Sequence, residues 1–310
     1  MINEKPKSLL GLKDLTRLEI ENILQQATLF KEIFNRPIKK VATLSNKVVV
    51  SLFYEPSTRT KASFDLALRM LGAGSLGFTP ASSSVTKGET LIDTVKNLES
   101  MGVDAIIIRH GMGGAPHLVA SNTNIPVVNA GDGFNEHPTQ ALLDMFTMIE
   151  EKGYIEGKKV AIIGDIMHSR VARSNIWGLT KCGAKVIVCG PPSLIPVGIE
   201  SLGVTVTNNV EEAIEDADFI NVLRVQLERQ KGSFFPSTRE YHREYGITAQ
   251  RLKKAKSDAI IMHPGPMNRG VEISTEVADG PYNVILEQVR NGVAVRMAVL
   301  YMLLMRSKEI

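Results

Sequence analysis

Residues 160–188 decide the fold class: Val160-Ala161-Ile162-Ile163-Gly164-Asp165-Ile166-Met167-His168-Ser169-Arg170, then Val171 through Lys181, then Val186-Ile187-Val188. The apolar, mostly β-branched Val160–Ile163 run reads as a strand buried on both faces. Val171–Lys181 follows as a helix and Val186–Val188 as the next strand. A strand, a helix and a second strand in so short a span pair the strands in parallel through a right-handed crossover. The alternation continues upstream. Val48-Val49-Val50-Ser51-Leu52-Phe53, Ala105–Ile108 and Val127-Val128 read as strands, and Thr60–Leu71, Thr90–Met101 and Gln140–Glu150 as helices. A long opening helix, Thr16–Phe34, sets Leu18, Ile20, Ile23, Leu24 and Ala27 near one face. Downstream, strands Val204–Val206 and Phe219–Val222 flank a helix at Glu211–Ala217. Ala259–Met262 is a further strand, and a helix from Asn283 to Met305 closes the chain. Residues 224–247, rich in Arg, Gln, Glu and Ser, read as a long polar loop of the functional kind. The fold class is α/β, with parallel strands joined by helices.

The length of 310 residues is about twice that of a typical domain, which agrees with two. Near Gly153–Lys159 the composition turns to Gly, Lys and Glu before the βα pattern restarts. This predicts a hinge between domains at 1–150 and 151–286. An apolar share of 44% with 22% charged residues excludes a disordered or collagen-like chain. A net charge of only +3 gives no reason to expect nucleic acid or a membrane surface. Any anion must be met by individually placed cations. Two cysteines, Cys182 and Cys189, cannot build a disulfide framework or a structural zinc site, and their apolar surroundings predict buried thiols in a reducing compartment. The N-terminal residues have no long apolar core, so no secretory signal is expected. The longest apolar run, Met297–Met305, is too short to cross a bilayer. A cytoplasmic location is the expectation.

In open α/β sheets, ligands bind outside the carboxyl ends of the strands. After the first strand stands Ser57-Thr58-Arg59-Thr60. It reads either as an ordinary helix cap beside a surface Arg or as a phosphate pocket made of free helix amides, hydroxyls and Arg59. Ser82–Thr90 places Lys87 on a polar loop, with Thr86 and Glu89 spaced as a capping box. Arg109 ends the Ala105 strand, and His137 and Gln140 stand three apart at a helix start. Gly164–Arg173 occupies the place of a dinucleotide fingerprint but lacks Gly-x-Gly-x-x-Gly. It carries Arg170 instead, which suits a carboxylate. Leu223-Arg224-Val225-Gln226 puts another Arg past a strand, and His263-Pro264-Gly265-Pro266 makes a stiff turn. No comparable cluster of Asp or Glu accompanies these cations, which disfavours a paired-carboxylate hydrolase or a magnesium site. The six histidines lack metal-binding spacing, and no phosphate-binding Gly-x-x-x-x-Gly-Lys-Ser/Thr loop occurs. The site calls for one very anionic small ligand, or two.

These segments in this order resemble the aspartate/ornithine carbamoyltransferase superfamily, on its aspartate side, along essentially the whole chain. The matching residues are Ser57-Thr58-Arg59-Thr60, Lys87-Gly88-Glu89-Thr90, Ile108-Arg109-His110, His137-Pro138-Thr139-Gln140, Gly164-Asp165 with His168-Ser169-Arg170, Leu223-Arg224-Val225-Gln226 with Glu228-Arg229, and His263-Pro264-Gly265-Pro266. The ornithine enzymes typically carry His-Cys-Leu-Pro at the last motif, whereas this chain has no Cys beyond Cys189. Arg170 and Arg224 fit a dicarboxylate better than the cationic tail of ornithine. Carbamoyl transfer to another amino acid such as ornithine, and a non-catalytic anion-binding α/β module, are the alternatives.

The resemblance implies two doubly wound parallel-sheet α/β domains, a first that binds carbamoyl phosphate and a second that binds aspartate, with a final helix (about 287–310) packed back on the first. It implies that Ser57, Thr58, Arg59 and Thr60 hold the phosphate. Thr60, Arg109 and His137 then face the carbamoyl oxygen. Gln140 and the carbonyls of Gly265 and Pro266 take the carbamoyl NH₂. Arg170, Arg224 and Gln226 hold aspartate, and Lys87 of a neighbouring chain in a homotrimer with shared sites bridges both substrates. No cofactor and no metal are implied. A regulatory chain or a dihydroorotase as further partner stays open. Gly265 departs from the Leu or Ala that the family often carries there.

Overall fold

The computed structural model describes residues 7–78, 89–226 and 237–305. Lys87, the Thr86–Glu89 spacing and Glu228-Arg229 therefore lie wholly or partly outside the described residues. Those up to Leu142 together with those from Arg290 form one compact unit, and Leu143–Val289 form a second.

The first unit opens with helix α1 (Arg17–Lys31), then strand β1 (Val48–Phe53), α2 (Thr58–Leu71), β2 (Gly74–Phe78), α3 (Leu91–Ser100), β3 (Ala105–His110), α4 (Ala115–Ser121) and β4 (Val127–Asp132). Its sheet is wholly parallel in the order β2-β1-β3-β4. β1 and β3 are the near-continuous apolar runs of the sequence, buried on both faces as a covered parallel sheet requires. β2 was not anticipated. Its Gly-Ser-Leu-Gly-Phe side chains are almost all exposed, and it exists because its backbone pairs with β1 from Val48–Gly74 to Leu52–Phe78. α3 begins one residue later than the composition implies, because Thr90 and Asp93 make a reciprocal capping box there.

Helix α5 (Pro138–Lys152) carries the chain onward. The division between the units falls inside it, between Leu142 and Leu143, upstream of the Gly153–Lys159 change in composition. The second unit contains β5 (Lys159–Ile163), α6 (Arg170–Lys181), β6 (Lys185–Cys189), β7 (Thr205–Thr207), α7 (Val210–Ile214), β8 (Phe219–Val222), α8 (Thr238–Tyr245), α9 (Ala249–Leu252), β9 (Ile260–Met262) and α10 (Thr275–Ala278). Its parallel sheet runs β7-β6-β5-β8-β9. The segment read as a polar loop over 224–247 thus contains a helix, α8. Ser237 caps it through the Glu240 amide, and Tyr241 anchors it by complete burial. Helix α11 (Ile285–Met305) returns the chain to the first unit, where Arg296 donates to Ser63 Oγ of α2 at 2.9 Å. Both cysteines are buried thiols, and desolvation pushes the Cys189 thiol up to about 12. Among the described residues, no helix is long and apolar enough to cross a membrane.

Candidate active site

Each sheet reverses its winding at one place, between β1 and β3 in the first unit and between β5 and β8 in the second. Such a switch point opens a crevice at the strands' carboxyl ends, because the connecting helices leave on opposite faces. The sequence segments singled out above fall at these two places.

In the first unit, Phe53 pairs with Arg109 in register, and the Tyr54 amide donates to the Arg109 carbonyl at 2.9 Å. The loop from β1 into α2 thus starts beside Arg109. β4, the other neighbour of β3, leads to His137 at the head of α5. Ser57–Thr60, Arg109 and His137 therefore share one edge of one sheet. The start of α2 is unusual. Ser57 stands at its N-cap, yet makes no capping hydrogen bond, and no acidic residue occupies the first turn. Every other described helix with Ser, Thr or Asn at its N-cap uses that side chain on its own amides. An uncapped helix start of this kind is where an anion can be held. Thr60 is buried in its first turn, while Arg59 is exposed.

Arg109 is 8% exposed and held from two sides. Its Nη1 donates to the Ala130 carbonyl at 3.2 Å and its Nη2 to Glu55 Oε1 at 2.6 Å. Glu55 carries no signal of this role in the sequence. The Glu55–Arg109 pairing depends on β1 lying next to β3, and no spacing rule contains that. Buried His137 follows Glu136, whose carboxylate accepts from the Leu12 amide at 2.7 Å and so ties the N-terminal segment to this loop. His110 packs on Tyr54 with ring centres 5.0 Å apart, and its desolvation lowers its pKa.

In the second unit, Gly164 follows β5 at φ +134°. A Cβ there would lie 3.0 Å from Leu223 Cβ, so the two switch-point strands approach closely only because residue 164 is glycine. Asp165 accepts from the His168 amide and ring at 3.1 and 3.0 Å, which shapes the turn into α6. Ser169 caps α6 through the Ala172 amide, so this helix start is closed, and Arg170 is its buried first residue. The Leu223 amide donates to the Ile163 carbonyl at 2.8 Å, setting Arg224 and Gln226 just past the β5–β8 pair. His263–Pro266 leaves β9 on the same edge, and Gly265 has φ +62°, a conformation that glycine adopts more readily than residues with a side chain. Arg170, Arg224, Gln226, Gly265 and Pro266 thus gather at the carboxyl ends of neighbouring strands of the second sheet.

Residues 7–150 match the model of the aspartate/ornithine carbamoyltransferase carbamoyl-P binding domain, and residues 156–303 match that of the Asp/Orn binding domain. The chain belongs to the aspartate/ornithine carbamoyltransferase family. It is 60% identical over 299 residues to the aspartate carbamoyltransferase catalytic subunit of Syntrophobacter fumaroxidans, covering 96% of this chain and 98% of that one. It is 59% identical over 305 residues to the same subunit of Ruminiclostridium cellulolyticum, covering 98% and 97%. Aspartate transcarbamoylase from Trypanosoma cruzi in complex with carbamoyl phosphate and aspartate superposes with a TM-score of 0.86 at 31% identity, over 96% of each chain. Ornithine carbamoyltransferase from Pyrococcus furiosus does so with 0.84, also at 31% and 96% of each. Backbone likeness alone therefore does not separate the two branches of the family.

Proposed function

We propose that this chain transfers the carbamoyl group of carbamoyl phosphate to the α-amino group of L-aspartate, giving N-carbamoyl-L-aspartate and phosphate, a step of de novo pyrimidine biosynthesis. The reading rests above all on the contrast between the two switch points. One offers an uncapped helix start with Arg59, suited to a phosphate. The other offers Arg170 and Arg224, suited to two carboxylates. The relatives near 60% identity carry the name of the aspartate enzyme, which favours aspartate over ornithine.

On this reading, the amides and hydroxyls of Ser57–Thr60 with Arg59 hold the phosphate. Thr60, Arg109 and His137 direct donors at the carbamoyl oxygen, while Gln140 and the carbonyls of Gly265 and Pro266 take its NH₂. Arg170, Arg224 and Gln226 hold aspartate. Lys87 of the next chain bridges both substrates in a cytoplasmic homotrimer. The amine attacks the carbonyl carbon, the new C–N bond forms, and the C–O bond to phosphate breaks as phosphate departs with the amine's proton. His137 acts as a donor to the growing negative charge. Aligning the two anions supplies on the order of 7–11 kcal/mol through effective molarity. Each well-aimed oxyanion donor adds roughly 3–4 kcal/mol. A colorimetric assay for carbamoyl-aspartate tests the reading: product should form, succinate should compete with aspartate, and ornithine should neither react nor inhibit. Faster carbamoylation of ornithine than of aspartate would overturn it.

A further inference from the structure

We infer that the buried His263–Glu272 pair is a positioning unit that holds two substrate loops of the second unit in register, Leu223–Gln226 after β8 and His263–Pro266 after β9. The inference rests on the roles proposed above for Arg224, Gln226, Gly265 and Pro266. Both side chains are fully buried. His263 Nδ1 accepts from the Gly265 amide at 2.8 Å, so the ring carries its proton on Nε2, which lies 3.2 Å from Glu272 Oε1. Glu272 Oε1 also accepts from the Asn268 amide at 2.5 Å, and Oε2 accepts from the Val225 amide at 3.4 Å. The Asn268 side chain closes the ring by donating to the Val225 carbonyl at 3.0 Å.

Val225 stands between Arg224 and Gln226, and Gly265 is one of the residues assigned to the carbamoyl NH₂. One carboxylate therefore spans the aspartate loop and the carbamoyl loop. The assembly is anchored from behind as well. The His263 amide donates to Gln288 Oε1 at 2.9 Å, and Gln288 Nε2 donates to fully buried Asp144 at 2.7 Å. A buried carboxylate is tolerated only when its oxygens are met by donors, and here the donors are the Val225 amide of one loop, the His263 ring of the other and the Asn268 amide just beyond it. That makes the spacing of those loops sensitive to the charge and shape of Glu272.

Three isosteric variants cut the links one at a time. In Glu272→Gln the oxygen keeps His263 and Asn268, while the new NH₂ faces the Val225 amide and releases the aspartate loop. KM for aspartate should rise about tenfold, the cost of one charge-assisted hydrogen bond, with KM for carbamoyl phosphate within about twofold. In His263→Gln the donor to Glu272 is retained and the acceptor for Gly265 is lost, so the larger rise should move to carbamoyl phosphate. His263→Asn keeps the Gly265 acceptor and loses the bond that fixes Glu272, so KM for aspartate should rise, but by less than in Glu272→Gln because the Val225 amide stays on Oε2. Both KM values unchanged in all three variants, or kcat and thermal stability falling together with no split between substrates, would overturn the inference. Arg224→Ala separates this outcome from failure of the site itself. If it raises KM for aspartate while Glu272→Gln and His263→Asn do not, the positioning role alone falls. If it leaves KM unchanged, the assignment of the loop falls and takes the inference with it.

Discussion

Thr16 and Ser57 both stand at the N-cap of a helix in the first unit, and only Thr16 uses its side chain there. At α1 the Thr16 hydroxyl accepts from the Glu19 amide at 3.3 Å, and the Glu19 carboxylate accepts from the Thr16 amide at 2.8 Å. That reciprocal box satisfies the helix from within. At α2 neither half of such a box exists, and the first turn holds Arg59 and Thr60 instead. Two helix starts of similar composition therefore do different work. The first closes its amides for stability, and the second leaves them without a side-chain cap at the switch point of the sheet, where the proposed phosphate would sit. The second unit shows the reverse: α6 is capped by Ser169, and the proposed binding role there passes to the side chains of Arg170 and Arg224.

The contrast is broken most directly at Arg59. Arg59→Ala should lower kcat by a factor of roughly 10²–10³, the usual loss for one positioned electrostatic group, with little change in melting temperature. A drop of less than about fivefold under saturating substrates would show that the α2 start does not meet the reacting anion. The same variant tests the shared site. Refolded in equal amounts with Lys87→Ala, it should regain about a quarter of wild-type activity, since every mixed ring of three holds one site with both residues native. Recovery no better than either variant alone, with mixed trimers present by native mass spectrometry, would place each site within one chain.

A smaller effect is expected from giving α2 the cap it lacks. Ser57→Asp supplies a good N-cap residue and a negative charge at the helix's positive end. Stability should hold or improve, whereas KM for carbamoyl phosphate should rise by about tenfold or more as the carboxylate competes for the same amides. Inorganic phosphate should raise the melting temperature of the wild type and lose that effect in the variant. Equal phosphate protection in both proteins would mean that the anion sits elsewhere. The smallest change comes from the opposite operation on α1. Thr16→Ala should cost about 1 kcal/mol of stability, as loss of an N-cap generally does, and leave kcat and both KM values untouched. A fivefold loss of activity at unchanged stability would dissolve the distinction between the two helix starts.

The sequence was most legible where one residue type served one purpose. The sequence reading of Val48–Phe53 and Phe219–Val222 coincides with β1 and β8, because a strand buried on both faces is near-continuously apolar, broken here only by buried Ser51 and Asn221. Legibility ended where an element owes its form to a neighbour. β2 has no apolar signature and follows from pairing with β1. α8 is a strongly charged segment held through Tyr241 and the Ser237 cap. The compact units divide inside α5, a continuous helix with no break in its sequence, whereas the two family domains end at 150 and resume at 156, on either side of Gly153.

For the site, the sequence by itself determined the chemistry on offer: Arg59, Arg109, Arg170 and Arg224, with His137, each set at a strand end or helix start by local pattern. Tertiary structure decided which strand ends lie side by side, and with that the partners of those cations. Glu55 reaches Arg109 only because β1 and β3 are adjacent, and Glu272 reaches both Val225 and His263 only because β8 and β9 are. Strand order also set the two switch points that open toward ligand. The physical reason is one of range. Helix caps and strand burial are satisfied within a few residues and leave a mark in the local sequence, whereas a buried carboxylate takes its donors from whichever backbone the sheet brings beside it.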